Sequence, residues 1–193
     1  MDILASKDFF LEKLSRELSP DLYYHSIRHT LDVHDAAVKF AELENVNGHD
    51  LLLLRTAAYI HDAGLIITYN GHEEASVEIA KEHLPKFGYT DDEIVTVSSM
   101  ILTTKLPQQA NTKLEQILCD ADLDYLGRDD FFMIAHRLRC EWNKYAKYTT
   151  LKEWYIIQIN FLEGHTYFTE SARKLRCEKK NDNLKQIKDL MGI

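Results

Sequence analysis

The sequence predicts an all-α fold of about eight to ten helices, and three observations carry that prediction. Apolar residues recur every three or four positions along most of the chain. No run of four to eight residues alternates cleanly, and none is bounded as a strand is. Three prolines and seven glycines among 193 residues leave room for long uninterrupted helices. The length suits one domain spanning residues 1–193.

Taken in order, residues 6–18 place Phe9, Phe10, Leu14 and Leu18 at helical spacing, with Ser6 as a candidate cap and Pro20 as the stop. A second helix is expected from Asp21 or Tyr23 to about Glu44, on Ile27, Leu31, His34, Val38 and Ala41. Residues 45–49 form a turn with Gly48. The apolar run from Leu51 then predicts a buried helix over 50–62, and residues 63–71 a loop. Ser76, Ile79, Ala80 and Leu84 ride a helix that Pro85 stops, and Phe87-Gly88-Tyr89 turns the chain. Thr90 and Glu93 form a capping box for a helix carrying Ile94, Val97, Ile101 and Leu102. After Pro107, a helix starts at Asn111 or Thr112 and reaches Asp122; Gly127 interrupts, and 129 to about 145 is helical again. Thr150 and Glu153 form a second capping box, opening a long amphipathic helix through Phe161 and Leu162. Residues 173–188, rich in Lys and Arg, read as a mostly solvated last helix.

Hydrophobic content is 45%, charged content 28% and formal charge −8, with the basic residues dispersed. That balance argues against nucleic acid as the main partner. Cys119, Cys140 and Cys177 are far apart and odd in number, which fits a reducing compartment. With no signal peptide and no apolar run near 20 residues, a cytoplasmic protein without a membrane partner is expected. Nothing in the sequence speaks to oligomeric state.

The functional signal is Tyr59-Ile60-His61-Asp62-Ala63-Gly64. Neighbouring side chains diverge by about 100° on a helix, so an imidazole and a carboxylate there share a partner only where the helix ends, and Gly64 marks an end. A His-Asp pair at the end of a buried helix suits a metal ion better than it suits packing. Further ligands must come from other inward faces. His25 and His29 stand four apart on the second helix, Asp122 ends an apolar helix between Asp120 and Asp124, and His72 follows the loop. Asp120 and Asp124 read as supporting or solvated acids. His72 reads equally as a site or a surface residue, and His165 as a packed histidine or a pocket wall.

The order His29, His61-Asp62, Asp122, set in YHSIRHT, AAYIHDAG and LCDADLDYLG, resembles the HD superfamily of metal-dependent phosphohydrolases. The resemblance covers about residues 21–127, with 129–190 as the helices completing the domain. It implies His29, His61, Asp62 and Asp122 as ligands. The Y-H-x-x-x-H arrangement also looks like the cyclic-nucleotide phosphodiesterase branch, which implies His25 as proton donor to the leaving group. His34-Asp35 is a second His-Asp pair, but it sits mid-helix with no apolar run before it and reads as structural. Two-metal members of the family carry a histidine after the His-Asp loop, which His72 matches, and another where this chain has Thr103-Thr104. One tight ion is therefore expected, with His72, Thr104, Lys105, Arg128 and Arg173 as candidates for a second ion or the substrate.

Two imidazoles and two carboxylates suit Mn²⁺, Mg²⁺, Fe²⁺, Co²⁺, Ni²⁺ or Zn²⁺, and ligand type alone does not choose. Such an ion lowers the pKa of bound water from about 16 toward about 7, and the hydroxide attacks phosphorus. The expected activity is hydrolysis of a phosphomonoester or phosphodiester in a small phosphorylated metabolite, most plausibly a nucleotide or cyclic nucleotide. A module that senses a ligand without turnover, and a metal-dependent enzyme of non-phosphate chemistry, are the competing readings.

Overall fold

In a computed structural model describing residues 1–193, nine α-helices and three 3-10 turns account for the chain's regular structure, with no strand. The helices are α1 (Ile3–Glu17), α2 (Ile27–Leu43), α3 (Gly48–Ile60), α4 (His72–His83), α5 (Asp91–Thr103), α6 (Lys113–Asp122), α7 (Phe131–Tyr145), α8 (Leu151–Gly164) and α9 (Glu170–Met191). The 3-10 turns are Ala63–Ile66, Leu84–Phe87 and Asp124–Gly127. The expected fold class is borne out. No helix is long and apolar enough to cross a membrane.

The apolar run after Gly48 makes α3 the central rod. Leu54, Ala57, Ala58 and Ile60 are fully buried, and α1, α2 and α5 pack around the helix. Its alanines let neighbours approach closely, while Phe10, Phe40, Val97 and Ile117 fill the surrounding space. A second, smaller core joins the segment after α6 to the C-terminal helices through Tyr125, Phe131, Leu162 and Ile187.

Three helices open with capping boxes: Thr90 with Glu93, Thr112 with Glu115, and Thr150 with Glu153. Each reciprocal pair satisfies two backbone N–H groups that the helix itself leaves free. The cap of α1 is Asp2, whose Oδ1 accepts from Ala5 N at 3.0 Å. Ser6 is instead buried, with its hydroxyl 3.1 Å from that of Tyr89.

The expected start of the second helix needs correcting. The second helix begins at Ile27, not near residue 21, because the N–H groups of Tyr24 and His25 are taken by the Glu141 carboxylate at 3.0 and 3.1 Å. His25 therefore precedes the helix that carries His29. The last helix is mostly solvated, as expected, with only Lys180, Asn183 and Ile187 buried between residues 173 and 188, yet some of its polar side chains are spent inward. Arg176 Nε donates to Asp124 Oδ1 at 2.5 Å, and Asn183 Nδ2 donates to the carbonyls of Leu126 and Arg128, both at 3.0 Å. Polar side chains of α9 thus hold the turn that follows Asp122.

Candidate metal centre

His61 ends α3 in helical conformation, and its Nδ1–H donates to the Ala58 carbonyl at 2.9 Å. In the neutral ring that bond fixes the tautomer and leaves the lone pair on Nε2. At Asp62 the backbone leaves the helix, with φ −103° and ψ 7°, so the carboxylate turns toward the same space. Gly64 does not cap the helix through a left-handed conformation. Its role is close approach: a Cβ there would lie 2.0 Å from the His72 carbonyl oxygen and 2.6 Å from Ser76 N. The start of α4 is pressed onto this turn, and Ser76 Oγ accepts from Gly64 N at 2.7 Å.

Four donor atoms converge from three helices. His29 comes from the first turn of α2, His61 and Asp62 from the end of α3, and Asp122 from the last residue of α6. His29 Nε2 lies 3.2 Å from Asp122 Oδ1, 3.4 Å from Asp62 Oδ2 and 3.4 Å from His61 Nε2. His61 Nε2 lies 3.2 Å from Asp62 Oδ2 and 3.7 Å from Asp122 Oδ1. Donors about 2.1 Å from a shared ion sit about 3.0–3.4 Å apart. His29, His61 and Asp62 are buried, His61 only 1% exposed, Asp122 is half-buried, and Asp62 Oδ2 has no hydrogen-bond partner. An unpartnered, buried carboxylate oxygen facing two imidazole nitrogens is an arrangement a cation completes.

Asp62 also turns Oδ1 toward His72 Nε2, 3.4 Å away. His72 Nδ1–H is committed to the Tyr69 carbonyl at 2.9 Å, so Nε2 again faces the carboxylate. His25, Asp62 and His72 form a second group able to hold an ion. His25 Nδ1–H donates to Glu141 Oε1, and the Glu141 side chain is fully buried. Glu141 escaped the sequence analysis. Its one local signal is its place in the buried stripe of α7, three residues after Leu138.

The charges reinforce one another. Burial disfavours the protonated form of His61, but the neighbouring Asp62 carboxylate outweighs it and holds the pKa at about 9. His72 reaches about 9 in the same way, with burial opposed by its bond to Asp62. Burial pushes the Asp62 carboxyl up, yet the His61 and His25 charges hold it well below the usual carboxylate range. Burial lowers His25, but Asp62 and Glu141 together raise its pKa above the ordinary histidine value.

A cavity of about 500 Å³ opens onto Asp62 and Asp122. His25, His72, Thr104 and Lys105 line it. Lys105 Nζ pairs with Glu74, and the Thr104 hydroxyl donates to the Ile101 carbonyl at 2.8 Å. Neither arginine proposed for the substrate reaches this cavity. Arg128 lines a small cleft of about 30 Å³ beside His29 and Asp122, with Nη2 on Asp130 Oδ2 at 2.6 Å. Arg173 Nη1 is spent on the carbonyls of Tyr167 and Phe168, at 3.0 and 2.5 Å. Asp120 accepts from Phe168 N, Thr169 N and Thr169 Oγ1 at 2.7–2.8 Å and so ties α6 to the start of α9. His34 lies apart from the cluster, bonded to Asp35 and stacked on Tyr59 with centroids 4.4 Å apart. His165 packs between Phe161 and Tyr167, and burial drops its pKa to about 4.

A model of the HD domain matches residues 26–124, just over half of the chain. An uncharacterized protein of Clostridium beijerinckii is 37% identical over 81 residues, 40% of this chain. The chain spans about half of that relative, 51% of its length. Among solved structures, a predicted HD superfamily hydrolase from an uncultured Thermotogales bacterium superposes with a TM-score of 0.65 at 22% identity, covering 96% of this chain and 91% of that one. Bacillus subtilis YpgQ in complex with ADP superposes equally well, TM-score 0.65 at 19% identity, covering 95% and 96%.

Proposed function

This chain belongs to the HD-domain family, and from that premise we propose that it is a metal-dependent phosphohydrolase acting on a small phosphorylated compound, with a nucleotide or cyclic nucleotide as the favoured class. The observation that carries the reading is the unpartnered Asp62 Oδ2, buried between His29 and His61 at the edge of the cavity. The ADP bound by YpgQ, a protein of the same fold, supports a nucleotide.

His29, His61, Asp62 and Asp122 hold the ion in this reading. A divalent ion bound there supplies the Lewis acidity that makes water a nucleophile at neutral pH and polarises a phosphoryl oxygen. Glu141 holds His25 by Nδ1, so the Nε2 proton is free to go to the leaving oxygen of the ester. Lys105 lies where it can leave Glu74 for a phosphate oxygen. This paired histidine favours turnover over sensing, since a sensor has no use for a positioned proton donor. With His25 kept as the donor, Asp62 Oδ1 and His72 Nε2, 3.4 Å apart, favour a weaker second ion, held beside the first through the shared Asp62.

The test is elemental analysis joined to a screen of metal-loaded protein against phosphorylated metabolites, reading released phosphate and nucleosides. We expect about one tight ion per chain. Asp62→Ala should lose both the ion and the activity, while His34→Ala, altered away from the cluster, keeps both. Equal metal in wild type and Asp62→Ala would sink the assignment.

A further inference from the structure

Three tyrosines spend their hydroxyls on the chain itself. Tyr89 bonds to the hydroxyls of Ser6 and Thr56 at 3.1 and 2.7 Å, Tyr145 donates to Ser19 Oγ at 2.9 Å, and Tyr167 donates to the Leu123 carbonyl at 3.3 Å. Tyr24 and Tyr125 do not. They are only 7% and 5% exposed, yet neither hydroxyl has a hydrogen-bond partner in the chain, and neither is sealed from solvent. Buried tyrosine hydroxyls usually find a partner, because water satisfies them in the unfolded chain.

The two rings are neighbours, with centroids 5.5 Å apart. Tyr24 also lies against His29, centroids 4.5 Å apart, and Tyr125 stands three residues after Asp122 in the turn that follows α6. With Asp122 they line both the large cavity and the small cleft behind it. Two unspent donors thus stand beside two of the four proposed ion ligands. A phenol, with an ordinary pKa of about 10, keeps its proton at neutral pH.

The cavity is otherwise poor in donors. No arginine lines it, and Lys105, its one lysine, is paired with Glu74. Charge in phosphoryl transfer spreads over the equatorial oxygens, and each needs a donor or a cation. A guanidinium beside Asp62 and Asp122 would pair with them and compete with the ion. A neutral phenol donates without competing.

We propose that Tyr24 and Tyr125 are catalytic residues whose hydroxyls donate to the oxygens of a phosphoryl group bound at the ion, the part that Arg128 and Arg173 do not play. The catalytic half of this inference rests on the phosphohydrolase reading. The binding half, a pair of donors for phosphate beside the ion, is tested without turnover.

Full-length protein loaded with Mn²⁺ is titrated calorimetrically with inorganic phosphate, as wild type and as Tyr24→Phe, Tyr125→Phe and Tyr89→Phe. Tyr24→Phe and Tyr125→Phe should keep the ion, with a melting temperature equal to or above that of wild type, since neither loses a bond made within the fold. Each should weaken phosphate binding about tenfold, and lower kcat by about 10²-fold for an ester that the wild type cleaves. Tyr89→Phe should do the reverse, lowering the melting temperature and leaving phosphate affinity unchanged. Wild type that binds no phosphate, or unchanged affinity in either Tyr24→Phe or Tyr125→Phe, overturns the donor pair. Loss of the ion, or a melting temperature lower by several degrees in both variants, makes the hydroxyls structural and overturns it too. Weakened phosphate binding with unchanged kcat overturns the catalytic half alone. Phosphate binding that needs both tyrosines, with no ester hydrolysed, would instead overturn the phosphohydrolase reading and leave the donor pair standing.

Discussion

Asp62 keeps different company at each carboxylate oxygen: Oδ2 faces His29 and His61, and Oδ1 faces His72. One side chain therefore joins the two groups of candidate ligands. His25 stands at the edge of this arrangement and is held from behind by a buried glutamate. A proton donor and an ion ligand make opposite demands on its Nε2, the first needing a proton and the second a lone pair. His25→Ala separates them. As a donor, its loss should leave the tight ion in place and lower kcat/KM for an alkyl phosphate ester by about 10²–10⁴-fold. A nitrophenyl ester, whose leaving group needs little protonation, should lose much less. Equal losses for both esters at matched metal occupancy would make His25 structural, and loss of the tight ion would make it a ligand.

At the scale of elements, the site depends on how closely α4 presses on the end of α3. Gly64 permits that approach, since any side chain there meets the backbone of His72 and Ser76. Gly64→Ala should move the start of α4, and His72 with it, while leaving His29, His61 and Asp122 on their own helices. The expected result is a melting temperature lower by several degrees, with the tight ion retained and any second ion lost, read by calorimetry and metal titration. An unchanged melting temperature would mean that the two helices are less closely coupled than this contact implies. The opening of α2 follows the same rule from the other side. Glu141 on α7 takes two backbone N–H groups that a longer α2 would have used, and so sets where that helix begins.

For the whole molecule the relevant quantity is the pH dependence of stability with and without the ion. In the ion-free protein His61 and His72 have pKa values of about 9, above the ordinary histidine value of 6.5. Groups raised in this way stabilise the fold fully below about 6.5, and that contribution is lost as pH rises through about 9. Ion binding acts in the opposite sense, because both imidazoles must give up a proton to become ligands. The gap in melting temperature between ion-loaded and ion-free protein should therefore widen as pH rises from 6.5 to 9, with protons released on binding at pH 7. His165, lowered to about 4, stabilises the fold above 6.5 and ceases to do so as pH falls toward 4, with or without the ion. A gap that stays constant or narrows with rising pH would contradict the protonated state assigned to His61 and His72.

Much of this protein is legible without coordinates. The apolar periodicities give the helices, Thr90 and Thr150 mark two of their starts, and the apolar run ending in His61-Asp62 marks the end of the central one. The order of His29, His61, Asp62 and Asp122 also suffices to nominate four residues that the fold brings within 3.2–3.7 Å of a neighbour in the cluster. These features are local, because a helix end or a capping box is written within a few residues. Tertiary structure decided the rest. It set Glu141 against His25 across 116 residues of chain, spent Arg173 on carbonyls and Arg128 on Asp130, and anchored α9 through Arg176 and Asn183. It also placed Trp142 and Gln158 in one wall. The role of a charged or polar side chain depends on which partner meets it once water is removed, and that partner comes from a distant segment no local period encodes.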